Sequence, residues 1–144
     1  MGDYMAITQA VCNSFKQELL QGLHDLDGHT LKLALYTSSA TLGPTTTAFS
    51  TTNESSGTNY TSGGATLSNV AVSLSGTVAF VDFDDVSFSS ATISDAAGAL
   101  IYNSSASNRA IAVLDFGSTK SVSGGTLTVS LPSASATTAL IRIS

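Results

Sequence analysis

Residues 99–116, Ala99-Leu100-Ile101-Tyr102-Asn103-Ser104-Ser105-Ala106-Ser107-Asn108-Arg109-Ala110-Ile111-Ala112-Val113-Leu114-Asp115-Phe116, hold two apolar runs parted by a polar stretch. Aliphatic, β-branched and aromatic residues bounded by Asn and Ser read as two strands at hairpin-like spacing. The same pattern extends in both directions. Leu31, Leu33 and Leu35 alternate with Lys32, Ala34 and Tyr36, and Leu67 leads to Val70, Val72 and Leu74. Residues 78–83, 86–88, 92–94, 126–131 and 139–143 form further short runs, about eight strands in all. Ser75-Gly76 and Ala97-Gly98 read as tight hairpins, and Gly124-Gly125 as the start of a strand. No helix is interleaved, so a parallel βαβ sheet is disfavoured. The expected fold is mainly β, an antiparallel β-sandwich or jelly-roll-like domain with one N-terminal amphipathic helix and a long Ser/Thr-rich loop.

The helix is expected over residues 5–23. Ile7, Val11, Phe15 and Leu19 recur every four positions, with Ala10 and Leu23 beside them and Gln9, Asn13, Lys16, Gln17 and Gln21 on other faces. Asp3 is placed to accept from the first free amides, and Gly22 to end the helix in a left-handed turn. The stripe Ile7, Val11, Phe15, Leu19 would cover a sheet or a neighbouring subunit. A single lysine on a neutral polar face argues against a membrane-surface helix.

Residues 38–64 are different in kind. Eighteen of these 27 residues are Ser, Thr or Gly, and only Glu54 is charged. Loops this long are uncommon in compact domains unless they are functional or disordered. Phe49 and Tyr60 argue against a plain linker, so the segment is expected to be an extended arm with two aromatic anchors that orders against a partner. The domain plan is a single unit over residues 1–144, with the helix at 5–23, the arm at 38–64, and the body at 65–144 together with the strand at 30–37.

Composition excludes several classes. The 144 residues carry 5 cations and 10 acids, a net charge of −5, and only 10% are charged, against about a quarter in an ordinary domain. The surface must instead be solvated by 24 Ser and 19 Thr. Five cations make no basic stripe for nucleic acid. No run of about 18 apolar residues is present to span a membrane, and no secretory signal is visible. One cysteine, Cys12, permits neither an internal disulfide nor a cysteine metal cluster.

Candidate chemistry is sparse. Asp82, Asp84 and Asp85 cluster after a strand, where paired carboxylates would share a proton or hold calcium, but alternation sends Asp85 to the opposite face. Asp25-Leu26-Asp27-Gly28 opens like a calcium loop and then fails, with Leu31 and Leu33 where oxygens are needed, and so reads as a turn. His24 and His29 straddle that turn, five apart and outside metal-ligand spacing. Gly-x-Ser-x-Gly is absent, and Cys12 reads as a small packed residue. The triplets beginning at Asn53, Asn59 and Asn103 match the glycosylation pattern but are expected by chance in so Ser- and Thr-rich a chain. The absence of Trp weakens a sugar-stacking reading. No catalytic residue, cofactor or metal is therefore expected, and the chain is not read as an enzyme.

Three segments together carry a family resemblance. Ile7-Thr8-Gln9-Ala10-Val11-Cys12-Asn13-Ser14-Phe15-Lys16, the strand Leu31-Lys32-Leu33-Ala34-Leu35-Tyr36 followed by Thr-Ser-Ser-Ala, and the pair 99–103 with 110–117 resemble small virion proteins encoded among the head genes of tailed bacteriophages. The likeness runs from about Ala6 to Ile143, and residues 1–4 extend beyond the usual start of that family. It implies a capsid cement (decoration) protein, made in the host cytoplasm and placed on the outer capsid surface where major capsid protein subunits meet. It further implies a sandwich or jelly-roll body and a homotrimer; the composition already argues against a membrane or nucleic-acid partner. A tail or fibre component touching the host surface, and a glycan-binding β-domain, are the alternatives. Candidate interface residues are Ile7, Val11, Phe15, Leu19, Phe49 and Tyr60.

Overall fold

The computed structural model describes residues 6–144. Met5 and Asp3, assigned above to the start of the helix and its cap, lie outside the described residues. In chain order the elements are β1 (Ala10–Val11), α1 (Asn13–Leu20), β2 (Leu31–Tyr36), β3 (Gly57–Thr58), β4 (Ala65–Thr66), β5 (Ala71–Ser75), β6 (Val78–Asp82), β7 (Val86–Asn103), β8 (Arg109–Val129) and β9 (Arg142–Ile143). All pairings between named strands are antiparallel. A six-stranded sheet runs β1-β8-β7-β2-β4 with β3 also on β7, and a three-stranded sheet runs β5-β6-β9. The chain is mainly β, a sandwich-like antiparallel domain with one short helix near its N-terminus.

The central hairpin is longer than the sequence pattern suggests. The expected runs at 86–88, 92–94 and 99–102 fuse into β7, and those at 110–116 and 126–131 into β8. Fusion is possible because the ladder is interrupted and not ended: register shifts fall between Phe88 and Ala91, Ala91 and Ile93, Ile93 and Ala96, and Ala96 and Gly98. Each irregularity re-aims the following side chains, so Val86, Phe88, Ala91, Ile93 and Ala96 stay buried although their spacing is not strictly two. Gly98 corrects the reading of Ala97-Gly98 as a hairpin, because it lies inside β7. A Cβ there would collide with the Leu114 carbonyl and the Ile7 side chain, so glycine is required by close packing and not by a turn. Gly76 does make a tight reversal, at φ +61 between β5 and β6.

The helix is also corrected. It spans Asn13–Leu20, and the residues before it are extended. Ala10 and Val11 pair with Val113 and Ala112 on the edge of β8, while Thr8 N–H donates to Leu42 O at 2.8 Å. The backbone groups of this segment are therefore used by a sheet edge and a neighbouring loop instead of a helical ladder. Ile7 and Val11 mislead because four is an even number: residues four apart share a face in a strand as well as in a helix. At the other end, Gln21 is the C-cap and Gly22 is left-handed at φ +75, with Leu23 N–H donating to Glu18 O and Gly22 N–H to Leu19 O, a Schellman closure.

One continuous buried cluster joins the elements. Phe15 of α1, Leu33 and Leu35 of β2, Leu100 of β7, Ile111 of β8 and Val81 of β6 all belong to it. Partly buried Ile7, Val11, Leu19 and Phe49 pack against its border.

Candidate functional site

Two polar clusters and two open apolar grooves are the features from which a function can be built. The first cluster sits where α1, the loop after it and the β7–β8 turn converge. His24 is fully enclosed at its side chain; its Nε2 lies 3.0 Å from Glu18 Oε1, and its ring packs 4.9 Å from that of Phe15. Arg109 Nη1 approaches the other Glu18 oxygen at 3.5 Å. Asn103, wholly buried, places Nδ2 3.0 Å from His24 Nδ1 and 3.0 Å from His29 Nδ1, while its Oδ1 accepts from Ser105 N–H.

The protonation pattern follows from donor counting. Ser105 N–H only donates, so Oδ1 must face it and the amide NH2 must face the two rings. Each Nδ1 therefore presents a lone pair, and His29 Nδ1 accepts from Asp25 N–H as well. His24 is then the Nε2–H tautomer, donating to Glu18. A carboxylate oriented on an imidazole is half of a nucleophile-activating relay, but here the remaining ring nitrogen is already occupied by Asn103. No nitrogen of His24 is left to take a proton from a hydroxyl or thiol. The arrangement joins three elements and performs no general-base step.

The second cluster organises residues 38–64. Glu54 accepts from Tyr60 Oη at 2.7 Å, from Ser62 Oγ at 2.7 Å and from Gly63 N–H at 2.7 Å. Tyr60 Oη in turn accepts from Leu35 N–H at 2.9 Å, and Ser55 N–H donates to Leu35 O. These two contacts complete the edge of β2 beyond the short β4, so the segment covers an edge that would otherwise be open. Gly64, at φ +81, lies so close to β2 that a Cβ would meet the Leu33 carbonyl. Phe49 stacks on Tyr102 at 4.6 Å, and Tyr60 tilts against Phe88 at 5.4 Å. The reading of 38–64 as an arm with free aromatic anchors is thereby corrected: both rings pack against this chain's own sheet. Its polar side chains bond to backbone groups made accessible by the fold, which composition does not show.

Burial sets the tyrosine acidities. Tyr36 and Tyr102 are each pushed up to about 12, chiefly by burial and then by the nearby Glu54 carboxylate, with the Ser50 N–H that donates to Tyr36 Oη pulling the other way. Tyr60 is raised further, by burial first and then by its bond to Glu54.

The remaining sequence candidates scatter. Burial pushes the Cys12 thiol up to about 11, so it is a packed residue and not a nucleophile. Asp84 accepts from Asn69 Nδ2, Asp85 accepts from Leu131 N–H, and Asp82 lies exposed at the end of β6. No group of three metal-ligating side chains forms among the described residues. Asp25 closes its own turn by accepting from Gly28 N–H. Of the glycosylation triplets, Asn103 is buried, while Asn53 and Asn59 are left-handed turn residues whose amides donate to Ser39 O and Ser90 O. Phe15 is 1% exposed, so of the stripe only Ile7, Val11 and Leu19 reach the border of the core.

Two surface features were not legible in the sequence. A groove of about 510 Å³ runs along β8, lined by Leu114, Phe116, Lys120, Leu127 and Leu131. A second apolar surface lies where α1 meets the three-stranded sheet, open on both sides of Leu19, Ile141 and Ile143. No helix among the described residues is long and apolar enough to cross a membrane. No family model, curated protein or solved structure matches the chain.

Proposed function

We propose that this chain is a structural virion protein, a capsid cement (decoration) protein that binds the outer shell as a homotrimer and stabilises contacts between major capsid protein subunits. The observation that carries the reading is how the side chains are used. Glu18, His24 and Asn103 are committed to one another and Glu54 to Tyr60, Ser62 and Gly63, while apolar surface is left open in grooves along β8 and beside α1. A domain whose reactive side chains are bonded internally and whose apolar surface is exposed is suited to being covered by another protein. The resemblance of residues 7–16, 31–36, 99–103 and 110–117 to phage head-gene proteins supports a shell as that protein. A clamp that binds only the assembled shell stabilises it by mass action, and the gain grows with the ratio of free protein to its dissociation constant. The low charge suits dense packing of many copies, since −5 per chain is a modest repulsion at physiological salt.

Electron microscopy of the particles that contain this chain tests the reading. Density for the domain on the outer capsid surface, and greater heat resistance of shells to which purified protein is added back, are expected. Density at the tail or a fibre, or failure to bind shells lacking it, overturns the assignment.

A further inference from the structure

Four of the five large hydrophobic side chains exposed among the described residues fall in one region. Leu20 is 91% exposed, Leu74 73% and Ile143 55%, with Val72 beside them. They belong to the end of α1 and to the three-stranded sheet, whose pairing puts Val72, Leu74, Ala79 and Ile143 on one face. Two openings of about 440 and 590 Å³ share Leu19, Ile141 and Ile143, so the apolar surface is continuous. Its rims differ in charge: Asp25 and Asp27 line one opening, Lys16 and Arg142 the other.

The sheet edge adjoining this region is also undefended. β5 pairs only with β6, through five residues without a register shift, and its sequence Ala71-Val72-Ser73-Leu74-Ser75 has no charge and no proline. The free length of β8 differs: its ladder is broken by repeated register shifts, it carries Lys120, and it has left-handed glycines at 117 and 124. Those are the devices that keep an edge from pairing with another chain. β8 has them and β5 does not.

We infer that the face formed by Leu20, Val72, Leu74 and Ile143, with the β5 edge, is where a second copy of this chain binds, the Asp25–Asp27 rim of one copy meeting the Lys16–Arg142 rim of the other. The occupant is a second copy because one opening is rimmed by acids and the other by cations, so the acidic opening of one copy fits the basic opening of the next, a head-to-tail contact of the kind that closes a trimer. The inference rests on the self-association in the reading above and not on shell binding.

Sedimentation equilibrium of the purified protein over a micromolar concentration series tests it. The wild type is expected at a multiple of 14.6 kDa. Leu20→Ser with Leu74→Ser changes exposed side chains only, so the variant should keep its circular dichroism and melting, with association weakened about tenfold or more. Lys16→Glu with Arg142→Glu makes both rims acidic, and Asp25→Lys with Asp27→Lys makes both rims basic. Each variant alone should be monomeric, and an equimolar mixture should associate. A monomeric wild type overturns the self-association reading as well as this surface. An oligomeric wild type whose mass is unchanged in the folded serine and charge variants overturns the surface alone, and a mixture that stays monomeric overturns the rim pairing.

Discussion

The Asn103 amide touches three groups that are far apart in the chain, and the donor count leaves it one orientation. Asn103→Ala removes both donors to imidazole and leaves His24 Nδ1 enclosed without a partner. A loss of about 2–4 kcal/mol is expected in urea unfolding, since an orphaned buried acceptor costs more than the bond itself contributed. Nitrogen-15 spectra of the histidine rings should show His24 as the Nε2–H tautomer in the wild type and lose that uniformity in the variant. Glu54 has the same standing in its own region. It was visible in the sequence as the lone charge among 27 residues, but only the fold shows it bonded to Tyr60, Ser62 and Gly63.

Among elements, residues 38–64 changed most in meaning. Their Ser, Thr and Gly content is compatible with mobility, yet Ser55 and Tyr60 complete the β2 edge and Phe49 stacks on Tyr102. Phe49→Ala together with Tyr60→Ala is therefore expected to lower stability by about 4–6 kcal/mol, through lost ring burial and an unpaired Leu35 N–H. Thermal melting should shift strongly for the whole domain. Unchanged melting would return the segment to the role of an arm. The three aspartates near the end of β6 carry the opposite expectation. Asp82→Asn, Asp84→Asn and Asp85→Asn together should shift stability by no more than about 1–2 kcal/mol, the loss coming from the Asn69 and Leu131 contacts, with no response to chelator in calorimetry.

For the whole molecule, the buried phenols set an alkaline limit. Tyr36 donates to Ser50 O and Tyr102 to Gly63 O, bonds that a phenolate cannot make. Their acidities are about 12 in the folded chain, against 10.0 when unfolded, so the unfolded state loses protons first as pH rises. Stability from these two groups is complete below about pH 10 and falls between 10 and 12, with a slope of up to about 1.4 kcal/mol per pH unit for each tyrosine. Unfolding followed by circular dichroism across that window should weaken steadily, and Tyr36→Phe should flatten the fall. A flat profile up to pH 12 would contradict the burial of these rings.

Alternation in 31–36 and 99–116 was enough to establish an antiparallel, mainly β chain, because strand faces are set by residues two apart and need no distant partner to be recognised. Gly22 as a helix end and Gly76 as a reversal were legible for the same reason, since left-handed backbone is a local demand. What Ile7 and Val11 do was not, because their spacing fits helix and strand equally, and the free edge of β8 beside Val11 and the Leu42 loop beside Ile7 decide between them. The fusion of short runs into β7 and β8, the pairing of Glu18 with His24 across a turn, and the gathering of Leu20, Leu74 and Ile143 on one face depend on contacts between residues far apart in sequence. Only the tertiary structure brings those residues together, and the same contacts determine which apolar side chains are buried and which remain exposed.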